Sequence, residues 1–194
     1  MEKEGLSATV DPDGELVTAA AAGSRDAFDE LVRRHQSAML TLARVLTGGR
    51  GDADDLAQEA FVRAWRNLPA FRGDSTFRTW LHRVAINVVR TSQAKEGRLR
   101  RLFDAGGRSD EPFDPPDTGE PIETALARRQ AIDRALASLP YELRLPVTLR
   151  DLQGLEYKEI AALLKVPIGT VESRIFRARQ RLRPLLASLV ERHV

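Results

Sequence analysis

Residues 157–182 read YKEIAALLKVPIGTVESRIFRARQRL, and this stretch decides the fold of the C-terminal part of the chain. Two runs with helical spacing flank a turn at residues 165–167, which gives the proportions of a helix-turn-helix. The pattern predicts a DNA-binding domain over about residues 140–186, whose second helix begins near Thr170 and lies in a major groove. One face of that helix is apolar every three or four residues and is predicted to pack inward: Val171, Ile175, Ala178, Leu182, Leu185 and Leu189.

The outward face of the second helix carries polar and basic side chains. Its first turns are the part of a recognition helix that reaches base edges, and Phe176 can meet a thymine methyl group. Farther along, Arg179, Arg181 and Arg183 suit phosphate contacts, which position a domain without selecting a sequence. The alternative interpretation is an amphipathic surface helix with solvated arginines. The candidate DNA contacts are Thr170, Glu172, Ser173, Arg174, Phe176, Arg177 and Arg181.

The composition narrows the kinds of site that the chain can hold. Its 194 residues include 30 Lys and Arg against 28 Asp and Glu, and no cysteine. Without cysteine, disulfides, thiolate metal sites and cysteine nucleophiles are excluded. Scattered histidines predict no metal site, and no motif requires a cofactor. No segment has the uninterrupted hydrophobicity of a membrane span, so we expect a soluble cytoplasmic protein without membrane contact of its own.

Three amphipathic helices are predicted in the N-terminal half, and together they form an all-helical unit. Ser24 can cap the first helix, which stops at Gly48 and the glycine after it. The second occupies residues 52–68, and the third residues 75–97. In the C-terminal half, Pro146 lies inside a predicted helix and is expected to kink or split it.

Between the two halves the chain becomes rich in proline, glycine and acidic residues. Such a stretch cannot bury enough apolar surface to offset its ordering entropy, so it is predicted to be a flexible linker. The predicted fold is therefore all-α, with two small helical domains: a bundle of three to four helices and a domain with the helix-turn-helix. The predicted divisions are an N-terminal tail with room for a short helix (1–23), a first domain (24–97), an acidic linker (98–121) and a second domain (122–194).

Two surfaces of the first domain have opposite chemistry. The helix that begins near Asp52 carries acidic and amide side chains, which favours either a basic protein partner or a solvated helix N-terminus. Between Phe71 and Arg90, aromatic and basic residues interleave, a mixture that suits single-stranded nucleic acid. Phe77 and Trp80 in this stretch are also explained as core residues. Arg83, Asn87 and Arg90 are spaced four and three apart and so share one helical face.

Three sequence blocks, in this order, resemble the extracytoplasmic-function group of bacterial sigma factors, group IV of the sigma-70 family. They are DDLAQEAF at residues 54–61, FRGDSTFRTWL at 71–81 with AIN at 85–87, and GTVESRIFRAR at 169–179. The resemblance covers nearly the whole chain. It implies that residues 24–97 are domain two of such a factor and residues 122–194 are domain four.

The resemblance also implies a function in transcription initiation. The protein would bind core RNA polymerase at the beta-prime clamp helices and the beta flap, recognise promoter DNA, melt it and start transcription of a stress or envelope-response regulon. An anti-sigma factor would hold it inactive, and it would not be an enzyme. The polymerase-binding set would be Asp54, Asp55, Gln58, Glu59 and Phe61.

The same resemblance distributes promoter recognition over the two domains. The loop and helix from Phe71 to Arg90 would open the -10 element and capture an unstacked base, and the final helix would read the -35 element. Glu172 departs from the basic or polar residue that relatives often carry, which leaves the -35 sequence open. The -10 set would be Phe71, Arg72, Asp74, Ser75, Trp80, Arg83, Asn87 and Arg90.

Two other functions compete with this interpretation. A two-domain repressor or activator would bind duplex DNA alone, but its ligand domain would require an apolar pocket rather than basic and aromatic residues. A nuclease would require a carboxylate cluster or a phosphate-cradling loop, and neither occurs with suitable spacing.

Overall fold

The computed structural model describes residues 11–48, 53–103 and 125–190, and the account below concerns those residues. Every regular element among them is helical, which confirms the predicted all-α class. The helices are α1 Gly14–Ala21, α2 Arg25–Thr47, α3 Ala53–Asn67, α4 Phe77–Phe103, α5 Ala125–Ala137, α6 Tyr141–Val147, α7 Tyr157–Leu164 and α8 Ile168–Val190. We refer to α1–α4 as the N-terminal domain and to α5–α8 as the C-terminal domain.

Helix α2 begins and ends at the predicted residues. The Ser24 hydroxyl accepts a hydrogen bond from the backbone N–H of Ala27 at 3.3 Å, which satisfies one of the unpaired donors of the first turn. Gly48 ends the helix with φ of +67°, a conformation that an L side chain rarely adopts. The short helix for which the N-terminal tail had room is α1.

Helix α4 begins two residues later than Ser75 and ends six residues later than Gly97. Thr76 caps it, because its hydroxyl accepts from the backbone N–H of Thr79 at 3.2 Å. A carboxylate oxygen of Asp11 accepts from the backbone N–H of Phe77 at 2.6 Å, so a distant residue satisfies another first-turn donor. Within the predicted linker, residues 98–103 are therefore helical, and residues 104–121 lie outside the described part of the chain, as does Asp52.

The core of the N-terminal domain lies where α2, α3 and α4 pack together. Its members follow the apolar stripes expected from the sequence, with Leu31, Leu42 and Phe77 fully buried. Small residues of α3, Ala60 and Ala64, are also fully buried, which lets the helix approach its neighbours closely. This packing fixes α3 and α4 relative to each other and leaves the opposite face of each for contacts.

Helix α6 neither splits nor ends at Pro146. The proline lies within the α-helix, whose last residue is Val147. From Thr148 to Leu152 the chain stays helical but takes the wider π-helical hydrogen-bonding pattern. Proline has no N–H to donate to the preceding turn, and the hydrogen-bond ladder widens within two residues of it. Gly154, with φ of +68°, adopts the left-handed conformation in the loop before α7, which glycine allows without strain.

The helix-turn-helix consists of α7, a short turn and α8. Lys165 ends α7 in the left-handed region with φ of +56°, and α8 begins two residues before Thr170. Val171, Ile175, Ala178 and Leu182 are buried, as predicted. The prediction for Leu185 is wrong: its side chain is 50% exposed, and Leu186 packs against the core instead, because four residues complete the helical repeat after Leu182. The side chain of Leu189 lies outside the described ones.

Candidate polymerase and nucleic-acid interfaces

The acidic face of α3 is a solvent-accessible surface. Asp54, Asp55 and Gln58 are exposed at the start of the helix, where carboxylates are favoured by the positive end of the helix dipole. Glu59 is half-buried, and its carboxylate accepts from Arg63 at 2.6 Å. Three of the five residues predicted to bind polymerase therefore present open polar groups, and the fourth is already partnered within its helix.

Phe61, the fifth member of that set, requires a correction. Its side chain is only 9% exposed and belongs to the core of the N-terminal domain. An aromatic ring buried this deeply stabilises the position of α3 but offers a partner no contact area. Phe61 stands three residues after Gln58 and seven after Asp54, so it lies at the edge between the acidic face and the core, and its ring is buried in the core.

The aromatic residues before and within α4 stack on one another. The ring centroid of Trp80 lies 5.1 Å from that of Phe71 and 5.8 Å from that of Phe77. Phe77 is fully buried, whereas Phe71 and Trp80 are half-buried against the same core. The preceding loop leaves Arg72 and Asp74 exposed and Ser75 half-exposed. The aromatic rings thus form a base for this loop, with one side of Phe71 and Trp80 remaining accessible.

Arg83, Asn87 and Arg90 form a polar stripe on the outer side of α4. All three are exposed, whereas the intervening Ala85 and Val88 are buried in the core. The predicted common face is therefore present in the structure, with two guanidinium groups flanking an amide. Guanidinium groups bind phosphate, and an amide can pair with a base edge.

Helix α8 presents the predicted recognition surface. Glu172, Ser173, Arg177 and Arg181 are exposed, Phe176 is 63% exposed, and Thr170 and Arg174 are half-exposed. The Ser173 hydroxyl donates to the Thr170 carbonyl at 3.0 Å, and Arg177 donates to the Ser173 carbonyl at 3.3 Å. These local bonds hold the side chains along the helix surface in the absence of a partner. A large exposed aromatic ring among basic residues is typical of a contact surface.

Arg179 departs from its predicted role as a phosphate contact. Its guanidinium donates two hydrogen bonds to the carboxylate of Asp151, at 2.6 and 3.1 Å. This bond to Asp151 raises the pKa of Arg179 above its ordinary value. Since the two N–H groups of the guanidinium already bind a carboxylate, Arg179 connects α8 to the π-helical turn rather than to phosphate.

The two domains are in direct contact through the polar stripe side of α4. The hydroxyl of Thr79, which is nearly inaccessible to solvent, donates to the Glu159 carboxylate of α7 at 2.7 Å. The side-chain amide of Gln153 donates to the Ala38 carbonyl of α2 at 3.3 Å. Gln153 and Glu159 were not singled out in the sequence, because a single polar residue gives no periodic signal.

A second contact joins the end of α2 to α5 and α6. Arg144 donates to the Val45 carbonyl at 3.2 Å, and Arg129 donates to the Thr41 hydroxyl at 3.3 Å. Arg44 lies 3.8 Å from the Asp133 carboxylate, whose pKa is raised by burial, against the opposing effect of nearby arginines. Val45 packs within the apolar core of the C-terminal domain. We call this arrangement of the two domains the closed form.

His82 is the buried titratable group at this contact. It is fully inaccessible, its Nδ1 lies 2.7 Å from the Arg78 carbonyl, and its Nε2 lies 3.3 Å from the side-chain carbonyl of Gln153. Burial lowers the pKa of His82, against the raising effect of these two oxygens, and the charges of Arg78 and His35 lower it further. A neutral imidazole has one N–H and can donate to only one of the two oxygens. An imidazolium could donate to both, but burial has the larger effect on the pKa of His82, so protonation is opposed in the closed form.

A cavity of about 370 Å³ opens between the two domains, and we call it the interdomain groove. Arg83, Asn87 and Arg90 line it from α4, and Lys165 and Arg174 line it from the helix-turn-helix. Predicted -10 and -35 residues thus meet in a single groove. Its apolar lining is formed by Ile86, Leu145, Pro146, Leu163 and Leu164.

The part of the chain that the structure describes offers neither a metal site nor a membrane span. No group of three or more histidine and carboxylate side chains is placed to hold a metal ion there. None of the described helices combines the length and the apolar character that crossing a membrane requires.

The sequence matches two protein families in separate segments. Residues 31–99 match Sigma-70 region 2, and residues 129–182 match Sigma-70, region 4. The chain is 38% identical over 187 residues to the ECF RNA polymerase sigma-E factor of Escherichia coli strain K12, covering 91% of this chain and 95% of that protein. The chain belongs to the ECF family of RNA polymerase sigma factors. This sigma factor is a transcription initiation factor and not an enzyme, which removes the repressor and nuclease interpretations.

Two solved structures share the fold. CnrH in complex with the cytosolic domain of CnrY is 31% identical, with a TM-score of 0.66 over 91% of this chain and 97% of CnrH. The sigma factor RpoE in complex with the anti-sigma factor NepR from Bartonella quintana is 27% identical, with a TM-score of 0.67 over 82% of this chain and 96% of RpoE.

Proposed function

We propose that this sigma factor binds core polymerase through the acidic face of α3. Asp54, Asp55 and Gln58 are exposed even in the closed form, so the described part of the chain leaves them accessible to a partner. Carboxylates on an exposed helix complement a basic partner surface, for which the beta-prime clamp helices are the candidate. Glu59 contributes through its ion pair with Arg63 rather than as an open charge.

Promoter opening is assigned to the loop at residues 71–75 and the polar stripe of α4. The supporting observation, which carries the proposal, is that Arg83, Asn87 and Arg90 share one exposed side of a helix whose other side is fixed in the core. Arginines can follow the backbone of a single strand while the amide contacts a base. The half-exposed rings of Phe71 and Trp80 provide the nearest stacking surface, with Arg72, Asp74 and Ser75 at the rim.

Recognition of the -35 element is assigned to the first turns of α8. Glu172, Ser173 and Arg177 are exposed where a recognition helix reaches base edges, and Thr170 and Arg174 stand beside them. Phe176 is suited to a thymine methyl group, and Arg181 to phosphate. The beta flap of the polymerase would contact the same domain away from this surface.

The closed form must open for both promoter elements to be contacted at once. The -10 and -35 elements are about 25 base pairs apart, which is about 85 Å along duplex DNA at 34 Å for each ten base pairs. Asn87 and Arg174 line one groove of about 370 Å³, so a closed molecule cannot reach both elements. We therefore propose that binding to polymerase and promoter separates the domains.

An anti-sigma factor is the proposed inhibitor of this protein, because the similar sigma factor RpoE was solved in complex with the anti-sigma factor NepR. Since polymerase is the partner, the cytoplasm is the proposed location and a stress or envelope-response regulon the proposed target.

An abortive-transcription assay with core polymerase from the native host tests the proposal. Asn87→Ala should keep binding to a duplex -35 element while reducing open-complex formation at least tenfold. Asn67→Ala is the matched control, because Asn67 is an exposed asparagine whose amide bonds only to the Arg63 carbonyl of its own helix. Failure of the wild-type protein to start promoter-specific RNA would contradict the function, and normal melting by the Asn87 variant would remove that residue from the site.

A further inference from the structure

The interdomain groove concentrates positive charge in the closed form. Four of its lining side chains are cationic, namely Arg83, Arg90, Lys165 and Arg174, and Glu142 is the single carboxylate among the lining residues. Like charges that line one cavity repel one another, so they weaken closure, and an anion bound between them would strengthen it. The groove therefore has the charge of an anion site that exists only when the domains are together.

The lining also limits what kind of anion fits. A volume of about 370 Å³ is that of a small-molecule site. Guanidinium forks from two domains suit phosphoryl oxygens. The apolar lining, with Leu145 and Leu163, gives a flat ring something to pack against, and the Asn87 amide can pair with a base edge.

We propose that the interdomain groove binds a nucleotide carrying two or more phosphates, and that this nucleotide holds the two domains closed. A ligand that binds the closed form alone shifts the equilibrium toward it in proportion to its concentration over its dissociation constant. Since Arg83, Asn87, Arg90 and Arg174 are also offered to DNA, the nucleotide would compete with the promoter. This last consequence rests on the proposed function, whereas nucleotide binding and closure do not.

Lys165 provides a variant that separates the two roles. It lies in the groove but in neither promoter-reading set, and it occupies the left-handed region, which asparagine adopts more readily than most residues. Lys165→Asn therefore removes one charge with little change in the backbone. Arg66→Gln is the matched control, because Arg66 is an exposed arginine at the end of α3 and does not line the groove.

The experiment uses the full chain, in which the absence of native cysteine allows two dyes to be attached at Ser37→Cys in α2 and Ala187→Cys in α8, both exposed positions. Energy transfer reports closure, and calorimetry reports binding of ATP, AMP, tripolyphosphate and hexaglutamate in magnesium-free buffer. ATP should bind at least tenfold tighter than AMP and at least fivefold tighter than tripolyphosphate, and it should raise the closed fraction. Lys165→Asn and Arg90→Gln should each weaken ATP binding at least fivefold, and Arg66→Gln less than twofold.

Removing a positive charge from the groove should weaken ATP binding but favour closure when no ligand is present. A substitution that only disrupted the fold would not favour closure. Without ligand, Arg90→Gln should raise the closed fraction, because it relieves repulsion in the groove. Equal binding of ATP and AMP, equal binding of ATP and tripolyphosphate, closure by hexaglutamate as strong as that by ATP, or equal losses in the Lys165 and Arg66 variants would each overturn the proposal. Normal promoter-specific transcription together with any of these results would leave the sigma function intact.

Discussion

The acidic face of α3 and the polar stripe of α4 belong to one domain but differ in access. Asp54, Asp55 and Gln58 face solvent away from the C-terminal domain, whereas Arg83, Asn87 and Arg90 line a groove closed by that domain. The difference indicates an order of events. On the proposed assignment, polymerase would dock on α3 while the protein is closed, and contact with promoter DNA would require the domains to separate.

Reversing the charge of α3 should have the largest effect. In Asp54→Lys with Asp55→Lys, two exposed carboxylates become cations facing a basic partner, which should cost about 3 kcal/mol or more, or about 100-fold in affinity for core polymerase. Fluorescence anisotropy with labelled sigma factor measures it. Asp29→Lys, an exposed acid on α2, is the control and should bind normally. Unchanged affinity in the double variant would move the polymerase contact elsewhere.

Replacing single arginines of α8 should have the second largest effect. The loss of -35 discrimination should differ from one arginine to another. Arg174→Ala and Arg177→Ala should each reduce discrimination of the -35 element by about 1 to 3 kcal/mol if they contact bases. Arg179→Ala should leave discrimination intact, because Arg179 is bound to Asp151. Competition binding with point-mutated -35 duplexes separates these results. A uniform loss over all sequences for Arg174 or Arg177 would assign that residue to phosphate.

Weakening the contact between the two domains should increase the fraction of open molecules, and this effect should be smaller than the previous two. Gln153→Ala removes two polar contacts between the domains, the amide bond to the Ala38 carbonyl and the contact with His82 Nε2. At about 1 kcal/mol each, their loss should shift the equilibrium toward the open form about 30-fold. Gln93→Ala is a matched control, because the Gln93 amide donates to the Leu46 carbonyl of α2 within one domain. Energy transfer between dyes on α2 and α8 measures the shift. Equal opening in both variants would show that Gln153 has no special part in closure.

Acid should open the protein slightly. Burial holds the pKa of His82 below its ordinary value of 6.5, so the closed form binds fewer protons than the open form. The stability of the closed form should therefore be constant above pH 6.5 and fall as pH decreases below it, with a loss of less than about 1 kcal/mol for the first half unit. The groups around the ring are Arg78, His35 and Gln153. A pH profile that stays the same in His82→Gln would assign the effect to other groups.

Much of the fold could be predicted because its signals are local. Ser24, Gly48 and Gly154 mark element ends through hydrogen bonding and backbone conformation that neighbouring residues determine. Errors arose where packing decided the outcome. Leu185 fits a helical repeat but is exposed, and α4 continues through residues whose composition favoured a linker.

The candidate surfaces within each domain could be predicted from the sequence, but the contact between the two domains could not. Polar residues on α3, α4 and α8 were found from spacing and resemblance, although Phe61 proved to be buried. The two domains share buried apolar contacts and also polar contacts such as Thr79 with Glu159, which lie 80 positions apart and leave no pattern in the sequence.

The most direct measurement of the central claim is the distance between dyes at Ser37→Cys and Ala187→Cys as the complex is assembled. High energy transfer is expected in the protein alone and in an Asp54→Lys, Asp55→Lys variant mixed with polymerase and promoter DNA. Low transfer is expected when the wild-type protein binds core polymerase and promoter DNA together. Low transfer in the isolated protein, or unchanged transfer in the complete promoter complex, would contradict the central claim.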